Sequence, residues 1–239
     1  MKLRSPINGI FFDIGWTLLY PVTDWLINKK MLECIDMDIY KAIPQDKFKA
    51  AFNRGLKFLD DKHLMTVMTE KEQLKQFETF YSILANDLPE LGLSNKQINE
   101  IAYSEVFDMS NYSFFNDTIS TLDALKGKYK LGVISDTWPS VERQLKSGGI
   151  YDYFETKTFS CFLGTWKPSK PMYIHALEQM KLPPEQTVFI DDGMENLEGA
   201  DIVGIQPVLI AAKPNPETTD KYPSIKKLSE LLELLPEKR

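Results

Sequence analysis

Residues 187–200 read TVFIDDGMENLEGA, and this stretch decides the fold. An apolar run of strand length is followed by two acids, a glycine and a helix-forming segment. Similar units recur along the C-terminal half. Together they predict strands at 130–135, 157–160, 187–190 and 207–211 and helices at 117–125, 141–148, 170–180, 196–200 and 224–234. Such alternation predicts a parallel sheet that helices cover on both faces.

The N-terminal residues belong to the same sheet. Residues 7–12 form an apolar run that ends at Asp13 and reads as a buried strand, which needs a sheet to be buried in. Residues 21–112 instead show a helical pattern, with capping-box spacings at Thr69–Glu72 and Ser94–Gln97. We therefore predict an α/β fold, with a Rossmann-like parallel sheet core formed by residues 1–20 and 113–239. Residues 21–112 form an inserted all-helical domain.

The composition limits the kinds of partner. The chain has 239 residues and a formal net charge of -6, so its surface repels polyphosphate backbones and a nucleic-acid partner is not expected. Its two cysteines, Cys34 and Cys161, are far apart, which is typical of a reducing compartment. No apolar run approaches membrane length. We expect a cytoplasmic protein that does not bind a membrane, while the oligomeric state stays open.

Polar residues gather where the predicted strands end. In open parallel sheets ligands bind beyond the carboxyl ends of the strands. The groups at these ends, or in a loop that follows, are Asp13, Ser135-Asp136, Lys167 and Asp191-Asp192. A single aspartate after a strand is more often a turn or helix-cap residue. Four such groups in this order are much harder to explain as turn chemistry.

These residue types suit chemistry at phosphorus. A carboxylate can attack phosphorus and form an aspartyl-phosphate. Clustered carboxylates repel one another, and a Mg²⁺ ion relieves the repulsion while it also contacts the substrate phosphate. A lysine ammonium and a serine hydroxyl stabilise charge on the phosphoryl oxygens. The expected partner is therefore a small phosphorylated substrate.

The motifs together resemble the haloacid dehalogenase superfamily of hydrolases. FFDIGWTL at 11–18 looks like its first motif and LGVIS at 131–135 its second. Lys167-Pro168 looks like the third, and VFIDDGMENLEGA at 188–200 the fourth. The resemblance covers essentially the whole core in order. The insertion lies between the first two motifs, where subclass I members carry a helical cap.

The resemblance implies a role for each matching position. Asp13 would be the nucleophile and a Mg²⁺ ligand, with the backbone carbonyl of Gly15 as another ligand. Asp192 would also ligate Mg²⁺, and Asp191 would act as a ligand or as a supporting group. The implied contacts to the phosphoryl group and the remaining supporting roles fall on Thr17, Ser135, Asp136, Lys167 and Asn196.

One position departs from the family pattern. Phosphatases of the superfamily usually carry a second aspartate two residues beyond the nucleophile, as general acid and base, and here that residue is Gly15. General acid–base help contributes about 10²–10⁴-fold in rate. A cap residue such as Asp24 or His63 could replace it. Members with glycine at this position do exist, so Gly15 does not imply inactivity.

Two other functions remain open at this point. Metal-free haloacid dehalogenases carry an aromatic residue two positions after the nucleophile, but Trp16 comes one position late for that role and the acidic pair favours a cation. Phosphonatases carry alanine two positions after the nucleophile together with a cap lysine. No cap lysine stands out in this sequence, so this activity is not one of the two. A catalytically impaired module that binds a phosphorylated ligand is the second alternative, supported only by Gly15.

Overall fold

The computed structural model describes residues 3–60 and 67–236. A six-stranded parallel sheet forms its centre, in the strand order β5-β4-β1-β6-β7-β8. Strands β2 and β3 pair separately with each other. In chain order the strands are β1 (Gly9–Phe12), β2 (Leu19–Pro21), β3 (Tyr112–Phe114), β4 (Lys130–Ser135), β5 (Thr156–Phe159), β6 (Thr187–Asp191), β7 (Gln206–Ile210) and β8 (Ser224–Ile225).

The helices fall into two groups along the chain. Between β2 and β3 lie α1 (Lys29–Cys34), α2 (Met37–Ala42), α3 (Gln45–Asp60), α4 (Glu70–Asp87) and α5 (Asn95–Phe107). After β3 come α6 (Thr118–Leu125), α7 (Val141–Ser147), α8 (Ser160–Leu163), α9 (Lys170–Met180), α10 (Met194–Ile202) and α11 (Leu231–Leu234). Within the described ranges, none of these helices has the length and apolarity needed to cross a membrane. The parallel sheet with flanking helices confirms the predicted α/β fold class.

The register of the sheet brings the chemical residues to one edge. Phe12, the last residue of β1, is opposite Val133 of β4 and Ile190 of β6. Asp13 therefore follows in the same row as Asp191, the last residue of β6, and lies one position before Ser135 on the other side. Because β1 is central, both neighbours can contribute side chains beyond its end.

The two strands that carry Asp13 and Asp191 are held by apolar packing. All four residues of β1 and all five of β6 are buried. Phe11 and Phe189 pack with Tyr173 of α9 and Leu197 of α10 in one apolar cluster. Burying a phenylalanine contributes about 1.5–3 kcal/mol. Packing of this kind fixes the strand ends from which the polar side chains project.

Two compact units divide the chain. The first comprises residues 1–20, 114–137 and 142–239, and it contains the central sheet. The second comprises residues 21–113 together with the short segment 138–141. The four-residue segment departs from the predicted boundaries, since it follows β4 in the chain yet clusters with the helices of the second unit.

The second unit is held by its own apolar core. Helices α4 and α5 begin with the two predicted capping boxes, at Thr69–Glu72 and Ser94–Gln97, which the structure confirms. Such caps satisfy backbone N–H groups that the first helical turn leaves without partners. Phe77, Phe80 and Ile101 are fully or almost fully buried in this core.

The predicted C-terminal helix at 224–234 is wrong over residues 224–230, and only its last turn forms, as α11. Ser224 and Ile225 instead form β8 beside Leu209 and Ile210, and a short 3₁₀ turn at Leu228–Glu230 precedes α11. The leucine spacing fits a helix, but the free edge of β7 offers backbone hydrogen bonds that a helix beginning at residue 224 would forgo. The N–H of Ala211, for example, donates to the carbonyl of Ile225 at 2.8 Å. Tertiary pairing here overrides the local pattern.

Candidate active site

Asp13 stands at the end of the central strand. Only 7% of its surface is exposed. Its backbone N–H donates to the carbonyl of Ile190 at 2.9 Å, which continues the ladder with β6 for one further residue. A tight turn follows, in which the N–H of Leu18 donates to the carbonyl of Ile14 and Trp16 adopts a left-handed φ of 54°. The turn keeps the residues after Asp13 close to the strand end.

Lys167 joins two of the carboxylates. Its Nζ donates to Oδ1 of Asp13 and to Oδ2 of Asp191, each at 2.7 Å. The lysine side chain is almost completely buried, and its backbone N–H donates to the carboxylate of Asp136 at 3.0 Å. Three residues that are widely separated in the chain thus meet at the carboxyl edge of the sheet. Asp136 holds the loop of Lys167 in place, and its contact with a substrate stays a prediction.

Asp191 is occupied on both oxygens. Its Oδ1 accepts from the N–H of Gly193 at 2.7 Å and from Nδ2 of Asn196 at 3.0 Å, while Oδ2 accepts from Lys167. The carbonyl of Asn196 in turn accepts from the hydroxyl of Tyr173 at 2.7 Å. These contacts suit a supporting role for Asp191 better than the role of a metal ligand. They also place Asn196 next to Asp191, where its side-chain amide holds the carboxylate in position.

Asp192 has a partner that the sequence analysis missed. Its Oδ2 forms a salt bridge with Nζ of Lys213 at 2.9 Å. Lys213 follows β7 after two residues, so it reaches the same edge of the sheet as the predicted groups. The sequence signal was therefore present, but it lay in a proline-rich segment that resembles an ordinary surface loop.

The two predicted hydroxyls are both buried. Ser135 ends β4 and is 3% exposed, and Thr17 is fully buried in the turn after Asp13. The hydroxyl of Thr17 has no hydrogen-bond partner within the described part of the chain. A buried hydroxyl without a partner is costly, and an oxygen-rich ligand would satisfy it. Gly15 is half-buried in the same turn.

The charges at this edge oppose one another. Burial raises the pKa of the Asp13 carboxyl to about 7, and the nearby Asp191 and Asp192 add to the rise, although the ammonium of Lys167 opposes it. Burial and the charge of Asp191 also raise the pKa of Asp192. Burial acts to lower the pKa of Lys167, but Asp13 and Asp191 together raise it above its ordinary value and keep the ammonium charged. Further positive charge would stabilise this group of carboxylates.

The donor set fits a hard divalent cation. Across residues 3–60 and 67–236, no three His, Cys, Asp or Glu side chains are grouped to hold an ion. Mg²⁺ does not need such a group, because it usually takes one or two carboxylates and keeps several waters. Asp13 and Asp192 would supply two carboxylates, and the Gly15 carbonyl would supply a third protein oxygen.

The described residues, 3–60 and 67–236, do not place either candidate for the general acid at this site. Asp24 is exposed, and its Oδ1 accepts from the N–H of Trp25 at 2.8 Å. His63 lies outside the described residues. Neither observation assigns a proton donor to the site.

A buried carboxylate bound by a lysine, with an acidic pair on the next strand, is an arrangement that suits a hydrolase. The sequence profile of haloacid dehalogenase-like hydrolases matches residues 7–204. The chain belongs to this family.

Relatives with assigned activities match over part of the chain. Pyrimidine 5'-nucleotidase YjjG of Escherichia coli K12 is 28% identical over 122 residues, which are 49% of this chain and 54% of that protein. Glyceraldehyde 3-phosphate phosphatase of Methanothermobacter thermautotrophicus is 34% identical over 100 residues, 40% of this chain and 44% of that protein. The chain thus spans about half the length of these relatives.

A solved structure matches the fold along nearly the full length. The putative hydrolase YfnB of Bacillus subtilis, bound to magnesium, superposes with a TM-score of 0.67 at 17% identity. The match covers 97% of this chain and 99% of that one. At this identity the likeness establishes the fold alone.

Proposed function

We propose that this chain is a magnesium-dependent phosphatase that acts on a small phosphorylated metabolite through an aspartyl-phosphate at Asp13. The observation that carries the proposal is the buried bridge of Lys167 between Asp13 and Asp191. It holds an oxygen nucleophile in place beside a fixed positive charge, as phosphoryl transfer requires. The two relatives named as a nucleotidase and a phosphatase support the same substrate class.

The side chains divide the work of the first step. An oxygen of Asp13 forms a bond to phosphorus while the bond to the leaving oxygen breaks, and the leaving oxygen takes the electron pair. Lys167 holds Asp13 in the attacking position and compensates charge on the phosphoryl oxygens. The hydroxyl of Thr17, which has no partner in the described part of the chain, and that of Ser135 would donate to the same oxygens.

Asp13, Asp192 and the Gly15 carbonyl would hold the Mg²⁺ ion. When bound, the ion supplies charge neutralisation at the phosphoryl group and lowers the repulsion between the carboxylates. Asp191 would not bind it, because its oxygens already accept from Lys167, Gly193 and Asn196. Water then attacks phosphorus and loses one proton to the solvent, while the bond to Asp13 breaks and its electron pair regenerates the carboxylate.

Gly15 bears on the choice of substrate. It cannot protonate a leaving oxygen, so substrates whose leaving groups need little protonation should be favoured. Acyl and aryl phosphates belong to this class. We expect an alkyl phosphate to be cleaved more slowly unless another acid of the chain takes part.

The test is a panel of alkyl, aryl and acyl phosphates incubated with Mg²⁺, with phosphate release as the measurement. We expect turnover that EDTA abolishes and that Asp13→Asn eliminates. Asp13→Asn is the matched blank, since it keeps the size of the side chain and removes the nucleophilic charge.

Other outcomes would point elsewhere. Halide release from 2-chloropropionate that persists in EDTA would replace the proposal with a dehalogenase. Binding of phosphorylated compounds without any turnover, and equal in wild type and Asp13→Asn, would indicate a ligand-binding module.

A further inference from the structure

A lysine outside the sequence motifs holds the second acid of the pair after β6. Nζ of Lys213 lies 2.9 Å from Oδ2 of Asp192 and donates to the backbone carbonyl of the same residue at 3.1 Å. A third contact, of 3.5 Å, goes to Oε1 of Glu217. An ammonium has three N–H donors. These three acceptors therefore use the full donor capacity of Lys213.

The segment that carries Lys213 is attached at a second point. Oε2 of Glu217 accepts from the N–H of Met194, the first residue of α10, at 3.2 Å. The side chains of Lys213 and Asp192 are 24% and 17% exposed, so their pair is screened less than one at the open surface. Lys213 is thus fixed relative to the strand end and is not a freely moving surface lysine.

The contact makes the two oxygens of Asp192 different. Oδ2 is bound by the ammonium, whereas Oδ1 accepts no hydrogen bond from the part of the chain that the structure describes. A carboxylate in this state can offer a cation one oxygen. Mg²⁺ demands compact octahedral coordination, while the larger Ca²⁺ takes more oxygens and often both oxygens of one carboxylate.

We propose that Lys213 is a positioning residue that selects the cation: by binding Oδ2 of Asp192 it leaves Oδ1 alone for coordination and so favours Mg²⁺ over Ca²⁺. The inference rests on the proposed function, because it takes Asp192 as a ligand of the ion. It goes beyond that function by assigning cation selectivity to a residue outside the four motifs.

The experiment measures binding directly and does not use activity. Metal-free protein is titrated calorimetrically with MgCl₂ and with CaCl₂, and the ratio of the Ca²⁺ Kd to the Mg²⁺ Kd is compared between variants. Lys213→Met removes the ammonium and keeps the chain length. We expect the ratio to fall about tenfold, within the range by which groups that orient metal ligands alter affinity.

The ratio of the two Kd values distinguishes an effect of positioning Asp192 from an effect of net charge. Loss of one positive charge strengthens binding of both divalent ions alike, so it leaves the ratio unchanged. Lys221→Met is the matched control, because Lys221 lies on the same segment and pairs at 3.3 Å with Glu198 on the surface. Its ratio should equal that of the wild type. Lys213→Gln gives the same test if the methionine variant does not fold.

Each possible result either supports or overturns the role of Lys213. An unchanged or increased ratio in Lys213→Met and Lys213→Gln, with Mg²⁺ still bound, overturns this inference and leaves the proposed function standing. A wild-type protein that binds no Mg²⁺ overturns the inference together with the magnesium part of the proposed function. A fall in the ratio for Lys221→Met as well would show that the effect does not depend on the contact with Asp192, and it would overturn the role of Lys213.

Discussion

Gly15 stands where, by the resemblance of the first motif, a phosphatase of the family would carry an aspartate. It lies two residues beyond Asp13 in a turn closed by the main chain, where the N–H of Trp16 donates to the carbonyl of Leu19 at 2.7 Å. The position brings no proton donor to the site. The chain therefore has a buried aspartate, a lysine and an acidic pair at this edge, but no acid two residues beyond Asp13.

Restoring an acid at this position should change the leaving-group preference. We expect Gly15→Asp to raise kcat/KM for alkyl phosphates by up to about 10²–10⁴-fold, because the carboxyl can protonate the leaving oxygen. Aryl phosphates should gain much less. The measurement is a leaving-group series with Mg²⁺ present. Gly15→Asn is the control of equal size, and an equal gain from both variants would contradict acid catalysis as the cause.

The residues that sequence reasoning found share one property. Asp13, Ser135 and Asp191 each end or follow a buried strand, so their positions could be predicted from the order of strands alone. Lys213 and Glu105 were missed for different reasons. Lys213 lies in a segment without periodicity. Glu105 lies on helix α5, and its burial depends on how the helices pack, which the sequence pattern does not show.

At the scale of elements, α10 approaches the loop of Lys167 closely because Gly199 has no side chain. A Cβ at this position would lie 2.8 Å from the carbonyl oxygen of Pro168 and 2.8 Å from the hydroxyl of Tyr173. Both distances are shorter than van der Waals contact. The glycine thus allows the helix to pack against the loop that carries Lys167.

Adding one methyl group should disturb this contact. We expect Gly199→Ala to lower the free energy of unfolding by about 1–3 kcal/mol, because the backbone of Pro168 must shift. The loss should occur although alanine favours a helix by about 1 kcal/mol over glycine. Chemical denaturation measures it, with Glu198→Ala on the same helix as control. A variant as stable as the wild type would argue against a close approach.

Elements of the second unit meet at a buried acid. Oε2 of Glu105 on α5 accepts from Nδ2 of Asn28 at 2.8 Å and from the hydroxyl of Tyr81 at 3.2 Å, and Oε1 accepts from the hydroxyl of Tyr112 at 3.0 Å. Glu105 is 4% exposed. Burial raises the pKa of its carboxyl above the usual 4.5, although these hydrogen bonds oppose the rise.

The buried acid makes stability depend on pH. Because the folded state holds the proton of Glu105 more tightly than the unfolded state, its contribution to stability is greatest below pH 4.5 and decreases as pH rises through the raised pKa. The neutral Glu105→Gln should lack this dependence. Urea denaturation at pH 5 and pH 8 should show wild type losing more stability than the variant, with exposed Glu33→Gln behaving as wild type. A parallel loss in all three proteins would contradict the assignment.

Prediction of the elements succeeded where burial was continuous. Strands β4 and β6 contain the continuous apolar runs LGVI at 131–134 and VFI at 188–190, which favour buried strands. The chain beyond residue 223 was misread, because a short edge strand and an amphipathic helix start share the same residues. Backbone pairing with β7 favours the strand over the helix. The sequence pattern does not show that the edge of β7 is free to pair.

At the scale of the whole molecule, the net charge of -6 includes the carboxylates around Asp13. A bound cation should therefore stabilise the folded chain. We expect Mg²⁺ at about 100 times its Kd to add roughly 2.7 kcal/mol to the free energy of unfolding. Thermal denaturation in MgCl₂, compared with NaCl of equal ionic strength, measures the effect. Asp192→Asn should remove it, and a similar gain in that variant would indicate general screening instead.

The segment 138–141 has a consequence for protein engineering. Its Trp138 ring packs 5.2 Å from Phe77, and its Ser140 exchanges two hydrogen bonds of 2.9 Å with Gln73. The chain thus passes between the two units four times, at 20–21, 113–114, 137–138 and 141–142. If residues 21–113 alone were transplanted, residues 138–141 would be left behind. Gln73 would then lose its hydrogen-bond partner Ser140. Chimeras that exchange the helical unit between relatives should therefore carry the tetrapeptide along with it.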